Sequence, residues 1–144
     1  MLPSSYIRIR KRGNILSEKI YFWSLYLAIG LTIGSFLNVC IYRIPKKKSV
    51  VYGRSYCPSC GCLIPWYCNI PVFSYLFLMG RSKCCHLRIS PIYPAIELLN
   101  GILYSTAYLV LGLGFWSIIA CVILSVLIVV ISINFKTDYI RLSK

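Results

Sequence analysis

Uncharged apolar blocks divide the chain into stretches that lipid can hold and one loop that it cannot. From Ile20 to Tyr42 no residue is charged: IYFWSLYLAIGLTIGSFLNVCIY, 23 residues. A helix needs about 20 residues to cross the hydrocarbon core, so this block predicts a first membrane span. Tyr21, Phe22, Trp23 and Tyr42 stand at its two ends, where amphipathic rings meet headgroups. A second apolar block runs from Ile89 to Phe135 and is interrupted only by Glu97. Its middle reads Gly112-Leu113-Gly114, a turn signal that divides the block in two. The pattern therefore predicts an all-α integral membrane protein with three transmembrane helices, over 20–44, 93–111 and 115–133. A basic tail covers 1–19, a Cys-rich loop covers 45–92, and a second basic tail covers 134–144. The run Arg8–Arg12 has the look of a signal-peptide n-region, but 23 apolar residues are too many for the h-region and no small-residue cleavage site follows.

Composition narrows the class further. Of 144 residues, 58% are hydrophobic and only 13% charged, about half the charge of an ordinary soluble domain. Disorder needs low hydrophobicity and is excluded. The formal net charge is +13, from 16 Lys and Arg against 3 Asp and Glu. A basic nucleic-acid binder is excluded as well, because no fold of this size could hide so much Leu, Ile, Val, Tyr and Phe from water. The basic residues instead report orientation. Lys46, Lys47, Lys48, Arg54, Arg81, Lys83 and Arg88 crowd the loop with no acid among them, and Lys136, Arg141 and Lys144 follow the last span. Both segments are expected to be cytoplasmic, with the Gly112–Gly114 turn outside. Three spans then put the N-terminal tail outside despite its five positive charges. That conflict is relieved if the natural start lies after Met1, or if Ile70–Met79 dips into the membrane and leaves the tail inside.

The candidate chemistry lies in the loop. Cys40 and Cys121 fall in the spans and read as small packing residues, whereas Cys57, Cys60, Cys62, Cys68, Cys84 and Cys85 all lie in 45–92. Cys57-Pro58-Ser59-Cys60-Gly61 has the form of a zinc knuckle: two thiolates two residues apart grip one tetrahedral ion, and the glycine lets the backbone turn beneath them. A matching pair is expected some fifteen to twenty residues later. Cys84-Cys85 come after 23 and are adjacent, so the second knuckle reads as defective or compressed, with His86 or Cys62 as substitutes for a sulfur. Neighbouring cations favour thiolates. A cytoplasmic loop disfavours disulfides because that compartment keeps thiols reduced; an external one would reverse this.

The spans also hold polar groups. Ser35 and Asn38 lie one turn apart in the first, and Glu97 and Asn100 open the second. A carboxylate costs about 2.5–3.5 kcal/mol at a span's centre and less near its end. Glu97 thus reads either as an interfacial carboxylate paired with Arg88 or Arg43, or as one facing a pocket at the boundary of loop and membrane. Arg43, before Pro45, reads as a snorkelling anchor.

The order of motifs resembles the prepilin peptidases. These run Gly34-Ser35-Phe36-Leu37-Asn38-Val39, Arg43-Ile44-Pro45, Cys57-Pro58-Ser59-Cys60, Trp66-Tyr67, Asn69-Ile70-Pro71-Val72, Ser74-Tyr75-Leu76, Gly80-Arg81, Cys84, Ile89-Ser90, Tyr93-Pro94 and Glu97-Leu98. The likeness covers about residues 28–140 and concerns the N-terminal part of the family. It implies a multi-pass enzyme of the bacterial inner membrane that cleaves the leader peptides of type IV prepilins or pseudopilins and N-methylates the new terminus from S-adenosylmethionine. By the same resemblance the cysteine loop is associated with methylation and zinc, and Asn38, Arg43 and Asn69 are substrate or cofactor contacts. Glu97 is the one carboxylate placed to assist methyl transfer.

The chain departs from the family pattern. Asn134 stands at the first catalytic Asp, Arg141 stands where Pro belongs, Cys68 replaces the Asp before Asn-Ile-Pro, and no Gly-x-Gly-Asp is present. An aspartic dyad needs two close carboxyls sharing a proton. Asn134 cannot take one, so this chain alone is not expected to cleave peptides. Three function classes follow: an enzyme of this family retaining at most the methyltransferase half, a non-catalytic zinc-binding membrane module or gene fragment, and a redox protein using Cys57 and Cys60. The last lacks the βαβ context of a redox motif.

Overall fold

The computed structural model describes residues 4–52, 56–57 and 60–142, with side chains over 15–52, 56–57, 60–65 and 67–135. Helix α1 (Ser4–Arg43) leads through a 3-10 turn (Ile44–Lys46) into the loop, which holds a second 3-10 turn (Trp66–Asn69) and the short α2 (Phe73–Phe77). Helices α3 (Ile92–Leu111) and α4 (Phe115–Leu142) complete the chain. Among the described residues the architecture is all-helical, and three helices are long and apolar enough to cross a membrane: the candidate spans are Ile15–Lys46, Ile92–Leu111 and Phe115–Phe135.

Helix α1 runs far beyond one bilayer. Its 40 residues extend about 60 Å at 1.5 Å per residue, twice the hydrocarbon thickness. The basic stretch expected as a separate tail over 1–19 is therefore helical from Ser4 onward. It lacks proline after Ser4 and is rich in Arg and Lys, good helix formers. Helix α3 ends where Gly112 adopts φ 70, its N–H returning to the Tyr108 carbonyl at 2.8 Å, and α4 begins three residues later.

In lipid, apolar side chains gain nothing by choosing each other over acyl chains, so helices associate through close backbone approach and polar bonds. Both operate between α1 and α3. A Cβ on Gly30 would lie 2.8 Å from the Cα of Gly101, and one on Gly34 the same distance from the Cα of Glu97. Asn100, with no exposed surface, donates to the Gly30 carbonyl at 2.7 Å and accepts from the Ser125 hydroxyl at 3.1 Å. Tyr104 joins Ser125 at 3.0 Å, and Tyr26 joins Ser117 at 2.9 Å. The three helices thus share one satisfied polar network, while Val122, Ile123, Val126 and Val130 of α4 face outward.

Candidate metal centre

Two tight turns of the loop bring its thiols together. In the first, the Cys57 N–H reaches the Cys62 carbonyl at 2.8 Å and the Gly61 N–H reaches the Cys57 carbonyl at 2.9 Å. Gly61 has φ 72, a conformation that glycine adopts without steric cost. The second turn runs from Ser82 to Leu87 and closes in the same way. The second knuckle is not compressed, as cysteine spacing alone suggested. It has full length, opens on Ser82, and carries Cys84 and Cys85 within it.

Four sulfurs result: Cys57, Cys60, Cys84 and Cys85 lie within 4.8 Å of one another. Cys57 and Cys85 are 3.7 Å apart, and Cys60 and Cys84 3.2 Å. A tetrahedral ion with bonds of about 2.3 Å to sulfur requires S···S edges of about 3.8 Å, so donor type and spacing fit zinc. Cys57 is 4% exposed, Cys85 is half-buried, and Cys60 and Cys84 face solvent. Four protein ligands would leave a bound ion no open position, the arrangement of a structural rather than a catalytic site. His86 and Cys62 stand outside the four-sulfur group.

Without a cation the sulfurs oppose each other's ionisation. The Cys62 backbone N–H pulls the Cys60 thiol down, but its three sulfur neighbours and desolvation outweigh it and push Cys60 up to about 12. Desolvation raises Cys62 as well. Cys84 moves the other way: the Ser82 hydroxyl, and then Cys60, lower it. A bound divalent ion removes the conflict, because a coordinated thiol is deprotonated outright.

The loop is fastened to the membrane helices at two points. Arg43, the last residue of α1, is 9% exposed and donates from Nη1 to the carbonyls of Ser49 and Tyr52, both at 2.9 Å. It is a buried clamp rather than a snorkelling anchor, since those carbonyls hold its head group beside the helix end. Glu97, also 9% exposed, accepts the Val72 N–H at 2.7 Å through Oε2, with Ser35 and Asn38 completing its shell. Asn38 donates to the Tyr93 carbonyl at 3.0 Å. Asn38 and Glu97 therefore share one buried cluster with Val72, whereas Asn69 sits exposed at the end of the 3-10 turn. Asn134 lies on an exposed position of α4, which continues to Leu142.

An open cavity of about 240 Å³ lies beside the sulfurs, lined by Cys62, Leu63, Cys68, Leu78, Lys83 and Ile89 among others, and no carboxylate lines it. That lining offers S-adenosylmethionine no carboxylate to balance its sulfonium.

Sequence reasoning overlooked Ser82, visible three residues before Cys85, and the Val72–Glu97 bond, which has no local signal. It also overlooked Gly30 and Gly34, whose spacing of four was readable as a helix-packing stripe.

Comparison with known proteins matches residues 28–111 to the Bacterial Peptidase A24 N-terminal domain. A "Prepilin leader peptidase/N-methyltransferase" of Myxococcus xanthus (strain DK1622) is 41% identical over 112 residues, covering 75% of this chain and 33% of that protein. One from Klebsiella pneumoniae is 37% identical over 125 residues, covering 82% and 55%. One from Bacillus subtilis (strain 168) is 37% identical over 107 residues, covering 74% and 43%. The chain thus spans between a third and somewhat over half of the length of these relatives. No solved structure matches.

Proposed function

The chain belongs to the bacterial A24 peptidase family through that N-terminal domain, and we propose that it serves the maturation of type IV prepilins or pseudopilins at the bacterial inner membrane. Its part is to hold the basic loop over 45–92 as a metal-stapled platform on the cytoplasmic face, where a prepilin leader docks beside the membrane. The observation that carries this reading is the convergence of four thiols in a loop that is itself fastened to two membrane helices.

Cys57, Cys60, Cys84 and Cys85 would hold zinc, which when bound supplies a rigid cross-link between the two turns. The chain's own residues do the rest. Arg43 holds the start of the loop against α1, and Glu97 holds Pro71–Phe73 against α3. Asn38, on the first helix, ties the opening turn of α3 to the same cluster. The outcome is a fixed surface, and fixing a substrate relative to the membrane removes the entropy of finding the cleavage register. Peptide cleavage is not assigned to Asn134, whose side chain has no proton to share in a carboxyl dyad. Glu97 is a positioning residue in this reading, its carboxylate already committed to a backbone N–H and two side chains.

A co-expressed prepilin carrying a photo-crosslinker in its leader tests the proposal. The expected result is a cross-link to residues 45–92 in the parent chain that disappears in Cys57→Ser. A leader that cross-links equally to both chains, or to neither, overturns the platform.

A further inference from the structure

The two turns close with the same backbone bonds. In residues 57–62 and 82–87 alike, the first N–H meets the sixth carbonyl at 2.8 Å and the fifth N–H meets the first carbonyl at 2.9 Å. The fifth residue is left-handed in both, Gly61 at φ 72 and His86 at φ 55. One residue further out on each side, an antiparallel bridge closes the turn: Tyr56 with Leu63, Arg81 with Arg88. This register pairs Cys60 with Cys85 and Cys57 with Ser82.

The first turn therefore supplies sulfurs from its first and fourth positions, whereas the second supplies a sulfur from its fourth position and a hydroxyl from its first. That hydroxyl is aimed at the cluster, with Ser82 Oγ 3.1 Å from the Cys84 sulfur and 3.6 Å from the Cys57 sulfur. The fourth sulfur arrives instead from Cys84, two residues into the turn.

Building on the metal-centre reading, we infer that Ser82 occupies the fourth ligand position of a two-turn metal centre and that Cys84 has taken over coordination from inside the turn. A neutral hydroxyl is a poor partner for an ion that selects thiolate and imidazole. Beside a coordinating sulfur it becomes a hydrogen-bond donor to that ligand, as second-shell groups do at metal sites. The centre accordingly accepts its fourth thiolate from position 82 or position 84. This asymmetry leaves the ligand set with one buried corner, Cys57, and an exposed Cys84 beside Ser82.

The test uses the full chain in detergent micelles, freed of metal under reducing conditions, with Co(II) as the probe. Its absorption bands report the number of thiolate ligands, and competition with zinc gives affinity. The parent is expected to show a four-thiolate spectrum. Cys84→Ser should lose it together with about 100-fold in affinity, roughly one ligand's share of a structural site. Adding Ser82→Cys to Cys84→Ser should restore the four-thiolate spectrum and return affinity to within about tenfold of the parent, while Ser82→Ala alone should weaken binding by about tenfold, the scale of a second-shell loss. The Ser82→Cys single variant, retaining all four parental thiols, reports whether a thiol at 82 is tolerated by the fold. A Cys84→Ser chain that keeps the parental spectrum, or a double variant that stays at the Cys84→Ser level, overturns the exchange of positions while leaving the metal centre standing. A parent that binds no Co(II) through thiolates overturns both.

Discussion

Val72 sits at φ 60, ψ −48, and the Phe73 N–H closes on the Pro71 carbonyl at 2.6 Å. This is a γ-turn of the rare, strained sign, built on a β-branched residue for which positive φ is a true outlier. Such a conformation costs about 1–3 kcal/mol and persists only where the surroundings enforce it. The enforcing contact is the Glu97 carboxylate on the Val72 N–H at 2.7 Å. Glu97→Ala leaves that N–H without its carboxylate partner, a loss of about 2 kcal/mol within the 1–3 kcal/mol of an unmet buried donor, so amide exchange over 70–78 should accelerate about 30-fold in lipid nanodiscs at fixed pH. Val72→Gly removes the steric strain at the cost of about 0.5–1 kcal/mol of backbone entropy, and should leave exchange unchanged or slow it a few-fold. The double variant should exchange more slowly than Glu97→Ala alone. Equal exchange in Glu97→Ala and parent, or faster exchange in Val72→Gly, would refute the idea that the helix carboxylate holds a strained turn in place.

Three further outcomes follow from the geometry. Zinc affinity should rise steeply with pH: the metal-free cluster holds protons that the bound form lacks, Cys60 above all with its thiol near 12, so raising pH favours binding and lowering it releases metal. Calorimetry in buffers of different ionisation enthalpy would count the protons released, and a pH-independent affinity between about 6 and 8 would contradict this linkage. Gly30→Ala places a Cβ 2.8 Å from the Gly101 backbone and should destabilise the α1–α3 pair by about 1–3 kcal/mol, the range for overpacking; an unchanged unfolding midpoint in detergent would show the approach to be slack. Cys62, exposed and outside the four-sulfur group, should react with a membrane-impermeant thiol reagent only after cells are opened. Labelling in intact cells would invert the orientation.

The membrane base was legible because its signals are long and local: an uncharged run either spans lipid or it does not, and Gly112 sits where α3 stops. Half of the metal centre was legible for the same reason, since Cys57 and Cys60 carry their geometry in their spacing. Cys84 and Cys85 were legible as the other two ligands, but the form of their turn and the place of Ser82 in it were obscured by counting cysteines only. The second turn keeps its register through backbone bonds, and a backbone register is indifferent to whether its first residue bears sulfur or oxygen. Arg43 and Glu97 were misjudged or left ambiguous on different grounds. A charged group near a span's end has water, lipid headgroup and protein carbonyls all within reach, and only the path of the loop decides among them. Val72 lay beyond local reasoning altogether, because its conformation is imposed by a partner 25 positions away.

Helix α1 passes from its membrane span to Arg43 without a hinge, and Arg43 grips the first carbonyls of the loop. Rod and platform are mechanically one piece. When the rod tilts to suit a thinner or thicker lipid environment, the sulfur-bearing lobe must rise, sink and lean with it, so bilayer thickness sets the height at which the lobe meets whatever emerges from the membrane beside it.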